Sequence, residues 1–164
     1  MDRITVDEFL EEVRNHVPIL RDGHELGLII DDSPEDSGRL KRLLGAIEAR
    51  AASISCDVDV VSDPEQLKAL IDGVNGGDTV VLLHVKEALL PRHYAALQSL
   101  VNYHALERWS GDGTQRSIVP FQEASRFVLV TSREALEKSW SEFPPLRGII
   151  GAALSCDVDR EEAV

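Results

Sequence analysis

Five short apolar runs constrain this chain more than any other feature. They are Leu26–Ile30, residues 54–61 around Val58, Val60 and Val61, Thr79–Val85, Phe127–Val130 and Gly148–Leu154. A short apolar run bounded by turn signals reads as a buried strand. Between consecutive runs lie longer segments with apolar residues three and four apart, the period of a helix with one buried face. Strands that alternate with helices predict a parallel sheet covered on both faces. Thr79–Val85 is the most apolar of the five, and the reading places it at the centre of the sheet.

The helical segments carry their own boundaries. Residues 5–17 place Val6, Phe9, Leu10, Val13 and Val17 on one face, and Thr5 with Glu8 forms a capping box. A second helix is expected from Glu35 to about Ala52, with Leu40, Leu43, Leu44 and Ile47 inward. Ser62-Asp63-Pro64-Glu65 opens a third that runs to Val74, since proline suits the first turn and acids suit the positive end. A fourth runs from Pro91 to about Arg108, and residues 115–125 read as irregular. Thr131 with Glu134 forms a second capping box for a helix ending near Phe143, and Asp159 starts a short terminal stub. The organisation expected is therefore an N-terminal helix and linker over residues 1–25, then one α/β domain over residues 26–164.

The first strand runs into two adjacent carboxylates, Asp31 and Asp32, followed by Ser33-Pro34. They stand at the carboxyl end of a parallel strand, where open α/β sheets bind ligands. Adjacent carboxylates repel unless a proton or cation intervenes. Asp31 and Asp32 are thus the candidate metal ligands, with Mg²⁺ the ion considered. The simpler alternative is that Asp32 and Ser33 open a turn and cap the next helix. His16, His24, His93 and His104 show no metal-ligand spacing and read as structural or surface residues.

Composition narrows the function classes. The net charge of −12 opposes binding to nucleic acid or an anionic membrane by general electrostatics. Cys56 and Cys156 lie in no metal or redox spacing, which suits two reduced thiols. Residues 1–10 lack the apolar core of a signal peptide, and no run reaches membrane-spanning length, so a cytoplasmic location is expected.

Several pieces together resemble a response-regulator receiver domain across residues 26–162. Ile29-Ile30-Asp31-Asp32-Ser33-Pro34 resembles that family's strand-one acid pair. Val58-Asp59-Val60-Val61-Ser62-Asp63-Pro64 resembles its second strand and helix entry, Val80-Val81-Leu82-Leu83-His84-Val85 its third strand and Val128-Leu129-Val130-Thr131-Ser132 its fourth. The entry to the last helix is matched by Asp157-Val158-Asp159-Arg160. The resemblance implies a doubly wound, flavodoxin-like sheet in the order 2-1-3-4-5 and aspartyl phosphorylation assisted by Mg²⁺. The departures are as informative. His84 occupies the phosphoacceptor position, no lysine follows Lys138, and Ala88 replaces a proline. Phosphoryl transfer of this kind needs a carboxylate nucleophile in line with a metal-held leaving group. The expectation is an inactive receiver whose degenerate site comprises Asp31, Asp32, His84, Lys86 and Thr131. Within it, His84 or Lys86 would balance the acid pair in place of a metal.

The corresponding function is a non-catalytic signalling or scaffold module that works through a protein partner, including a second copy as a homodimer. Phe9, Leu10 and Val13 are the candidate interface residues, and the same helix is expected to cover the sheet beside strands one and five. Two other classes compete. One is a degenerate P-loop ATPase core of the AAA+ kind: residues 80–88 resemble a Walker B strand and Thr131-Ser132 a sensor, although no Gly-x-x-x-x-Gly-Lys-Ser/Thr loop is present. The other is a metal-dependent hydrolase using Asp31 and Asp32.

Overall fold

The computed structural model describes residues 5–15, 26–34, 37–74, 79–109, 112–121 and 125–156. In chain order the elements are α1 (Val6–Asn15), β1 (Leu26–Ile30), α2 (Arg39–Glu48), β2 (Ala52–Asp57), α3 (Pro64–Asp72), β3 (Thr79–Val85), α4 (Pro91–Tyr103), β4 (Ala105–Trp109), β5 (Arg116–Pro120), β6 (Arg126–Thr131), α5 (Arg133–Glu142) and β7 (Ile150–Ser155). Expectations for Val17, Glu35, residues 75–78 and the stub at 159–164 fall outside the described residues.

The five apolar runs form one five-stranded sheet, and every pairing in it is parallel. The fold class read from the sequence, a parallel α/β sheet with helices on both faces, is the one observed. The expected order 2-1-3-4-5 is not. The strands lie in the order β2-β3-β6-β1-β7, so β6 separates β3 from β1, and β6 rather than β3 is central. All six residues of β6 are buried, as a strand enclosed by neighbours and helices requires. β1 and β3 are nearly as apolar, so local composition does not rank the three. The observed order obeys the crossover rule, as the order 2-1-3-4-5 also would. The β1-to-β2 connection passes one face through α2, whereas β2-to-β3, β3-to-β6 and β6-to-β7 step the opposite way through helices on the other face. All four therefore share one hand, as the crossover rule demands.

Alternation along the strands divides the core into two layers. Val81, Leu83, Phe127 and Leu129 pack with Leu67, Ile71, Leu97, Leu100 and Leu136 of α3, α4 and α5. Val80, Leu82, Val128 and Val130 pack with α2 and α1. The capping box of α1 is formed: Glu8 N–H donates to Thr5 Oγ1 at 3.1 Å and Thr5 N–H to Glu8 Oε1 at 3.4 Å. Val6, Phe9, Leu10 and Val13 are all buried against Ile29, Val128, Ala152 and Leu154. Burial of this kind contributes about 1.5–3 kcal/mol per large side chain. Gly27 explains the close approach. A Cβ there would lie 2.9 Å from both Phe9 Cζ and Val13 Cγ2, so a strand glycine marks where the helix sits down on β1.

Several boundaries differ from the sequence reading. The second strand ends at Asp57, and Val58–Ser62 is a 3-10 turn whose first N–H groups include Asp59 N–H, held by Asp57 Oδ1. The helix expected to reach Arg108 stops at Tyr103, because His104 turns the chain in a left-handed conformation with φ 52°. The segments read as helix end and irregular loop instead form an antiparallel hairpin, β4 with β5. Leu106 and Val119 turn inward from it while Glu107, Arg116 and Ile118 face out. The cap of α5 is Ser132, one residue later than expected, with Ser132 Oγ accepting from Ala135 N–H.

Candidate functional site

The carboxyl ends of β3, β6 and β1 carry the residues singled out from the sequence. Asp31 follows β1 directly, and its backbone N–H donates to the carbonyl of Thr131 at 2.8 Å, extending the ladder by one bond. Asp31 and Thr131 are therefore neighbours. The Asp31 carboxylate turns back on its own loop, where Oδ1 accepts from Ser33 N–H at 3.1 Å and from the Ser33 hydroxyl. Asp32 reaches in another direction. Its Oδ1 accepts from Arg133 N–H at 2.8 Å, and its Oδ2 lies 3.5 Å from the Arg133 guanidinium. Arg133 is the first residue of α5, so Asp32 meets an otherwise unbonded N–H at the positive end of that helix.

Each carboxylate is thus hydrogen-bonded within the chain, and Asp32 has Arg133 beside it. One carboxylate closes an Asx-type turn and the other fastens β1 to the start of α5. The simpler alternative had Asp32 and Ser33 capping the next helix; instead Asp31 closes the turn with Ser33, Gly38 stands at the start of α2 with no side-chain cap, and Asp32 meets α5. Among the described residues, no group of three or more His, Cys, Asp or Glu side chains is placed to hold a metal ion. A metal at Asp31 and Asp32 would have to displace Ser33 and Arg133.

His84 stands apart from the acid pair. It pairs in register with Asp57 on β2 and Val130 on β6, and Val130 in turn pairs with Ile29. Two interstrand spacings, about 10 Å, therefore separate β3 from β1. Alternation also puts His84 on the face of Val80 and Leu82, whereas Thr131 shares the face of Phe127 and Leu129. His84 Nε2 and Thr131 Oγ1 are both buried and form no hydrogen bond among the described residues. Burial holds the His84 pKa below its ordinary value, opposed by the Asp57 carboxylate and reinforced by Lys86. Its ring is neutral near pH 7 and supplies no counter-charge to Asp31 or Asp32. Lys86, one residue past β3, is exposed.

Two features of this rim escaped the sequence reading. The first is the anchoring of α4. His93 Nδ1 accepts from Leu90 N–H at 3.0 Å, which leaves the proton on Nε2 to be donated to Asp59 Oδ1 at 2.6 Å. Arg92 donates to the same oxygen at 3.0 Å. Hydrogen bonds from His93 and then Arg92 hold the Asp59 carboxyl below its usual range. The dyad ties the turn after β2 to the start of α4, and both ring nitrogens are occupied. The second is the connection from β1 to α2. Gly38, at φ 72°, precedes Arg39 at the helix start. Ser33, Gly38, Arg39 and Leu40 fall at the spacing of the first glycine, second glycine, lysine and hydroxyl residue of a phosphate loop. Three of those four residue types are replaced, and Leu40 supplies no oxygen for a metal.

No protein-family model matches the chain, and no curated protein matches it in sequence. Of the described helices, none is long and apolar enough to cross a membrane.

Proposed function

We propose that this chain is a catalytically silent α/β module that acts through protein contacts and is built on the plan of a P-loop ATPase core. The observation that carries the reading is the order β3-β6-β1. In the AAA+ cores that the strand ends resemble, a sensor strand is inserted between the strand of the phosphate loop and the strand of the Walker B acid. Here β6, ending in Thr131-Ser132, has the sensor position, β1 the phosphate-loop position and β3 the Walker B position. A receiver would set β1 against β3.

The reacting parts are substituted at each of those places. Ser33 and Leu40 stand for the glycine and the hydroxyl of the loop, and His84, Val85 and Lys86 close the strand where carboxylates would polarise water. Asp31 and Asp32 directly precede the loop positions, and two carboxylates there repel phosphates rather than cradle them. What remains is a rigid sheet whose rim is fastened by its own side chains. That is suited to presenting a surface, and the partner is a protein.

Two binding measurements test the reading. Calorimetry with ATP and ADP, each with and without Mg²⁺, should give no heat of binding at millimolar nucleotide. Acetyl phosphate with Mg²⁺ should leave the intact mass unchanged. Mg²⁺-dependent nucleotide binding would overturn the silence and establish an ATPase. A single phosphoryl adduct would return the receiver reading.

A further inference from the structure

Among the described residues four strands have an edge with no strand beside it: β7 and β2 in the large sheet and both strands of the hairpin, of which β4 carries Glu107 and Arg108, the latter tied to Glu65 at 2.6 Å. Exposed edges pair with other chains unless something blunts them, such as a proline, a charge, a bulge or a covering element. β7 has a shift of register against β1 between Leu26 and Gly27, no exposed residue, and α1 packed against it. β5 ends in Pro120, and Arg116 is tied to Glu107 across its outer face at 2.9 Å. Among the described residues β2 has no proline, bulge or covering element, and its one charge, Asp57, stands at its last position. Its sequence Ala-Ser-Ile-Ser-Cys-Asp contains no proline, lysine or arginine. Its pairing with β3 runs unbroken from Ala52 to Asp57, and half of its residues are exposed.

We infer that β2 is a self-association edge, on which a second copy of this chain adds its own β2 antiparallel and joins the two sheets. The occupant follows from the strand's chemistry. Arg50 stands at its amino end and Asp57 at its carboxyl end. Antiparallel pairing sets each acidic end beside the other copy's basic end, whereas parallel pairing would set like ends together. Arg50 already bonds Asp7 at 2.6 Å and the Ala46 carbonyl at 2.7 Å, and a guanidinium has five donors to share.

The faces match as well. A two-fold axis perpendicular to the sheet keeps each face with its like. With Ser55 on the axis, Ile54, half-buried like Cys56 against the α3 and α4 layer, then meets the other copy's Cys56 on that side. On the other, Ser55 meets its own counterpart and Ser53 meets Asp57, where hydroxyls donate hydrogen bonds across an antiparallel pair. In a chain of net charge −12, this six-residue edge holds one acid, Asp57, at its end. The inference does not rest on the ATPase-like reading, since any parallel sheet with this edge would behave alike.

Sedimentation equilibrium of the full chain over a wide concentration range tests it. A reversible dimer of twice the 18.1 kDa chain mass is expected. Ser55→Lys, on the exposed edge, should raise the dimer dissociation constant about tenfold by setting like charges across the axis. The monomer of that variant should keep the wild-type circular dichroism. Ile118→Lys on the hairpin should leave the dimer intact. Independently, Ser55→Cys should yield a covalent dimer on mild oxidation, readable by mass without relying on a weakened variant. A strictly monomeric chain would overturn the inference. So would a dimer broken by Ile118→Lys and indifferent to Ser55→Lys.

Discussion

At one end of the sheet β7 lies beneath α1 with no residue exposed; at the other end β2 exposes half of its length. The difference follows from which side chains each edge strand turns toward the α1–α2 layer. β7 offers Ala152 and Leu154, small and apolar, and a helix carrying Val6, Phe9, Leu10 and Val13 closes over them. β2 offers Ser53, Ser55 and Asp57 to the same side, and these gain nothing from an apolar cover. An added helix therefore completes the apolar end of the sheet, and the polar end keeps its open backbone for a partner. The candidate interface residues Phe9, Leu10 and Val13 lie inside the chain's own core, while the exposed edge belongs to a strand of small polar residues.

The largest expected effect separates the two ends directly. Phe9→Ala removes a fully buried ring from the α1 seam and should cost about 3–5 kcal/mol in urea unfolding. Ile54→Ala, on the half-exposed edge, should cost only about 1 kcal/mol in the monomer. Equal losses at the two sites would erase the distinction between a packed end and an open one.

A smaller change sharpens the same seam. Gly27→Ala places a methyl group 2.9 Å from Phe9 and Val13 and 3.0 Å from Val128. Overpacking of this kind should cost about 1–3 kcal/mol. Combined with Phe9→Ala, which vacates part of that space, the penalty should shrink. Additive losses would mean that the helix does not bear on the glycine.

The smallest effect is at the polar end and depends on pH. His84 has a folded pKa below its ordinary 6.5, chiefly through burial. The unfolded chain therefore takes up this proton first as pH falls. The stability present above pH 6.5 declines below it, until the folded-state ring also protonates. Urea midpoints at about pH 7.5 and about pH 5.5 should show a smaller drop for His84→Gln than for the wild type. An identical drop would place the acid sensitivity at other groups.

The element pattern was legible because it is local. The five apolar runs, the Thr5–Glu8 box and the Asp63-Pro64 helix start, whose Asp63 carboxylate accepts from Gln66 N–H at 3.3 Å, are written within a few residues of each other. The hairpin was not legible, since Ala105–Trp109 continues the helical pattern of α4 until the left-handed His104 breaks it. Asp31 and Asp32 were recognisable as a pair that needs balancing. Their partners were not equally so: Ser33 is two residues from Asp31, but Arg133 is 101 residues from Asp32.

By itself, then, the sequence determined the parallel α/β class, the place along the chain of the five sheet strands and most helices, and the lack of a complete Gly-x-x-x-x-Gly-Lys-Ser/Thr motif. Each of these depends on residue type and short spacing. Tertiary structure alone decided that β6 would stand between β3 and β1, that Asp32 would be held by the first turn of α5, and that His84 would turn away from the acid pair. β1, β3 and β6 are interchangeable in apolar content. Only the packing of whole helices on the two faces distinguishes their places in the sheet.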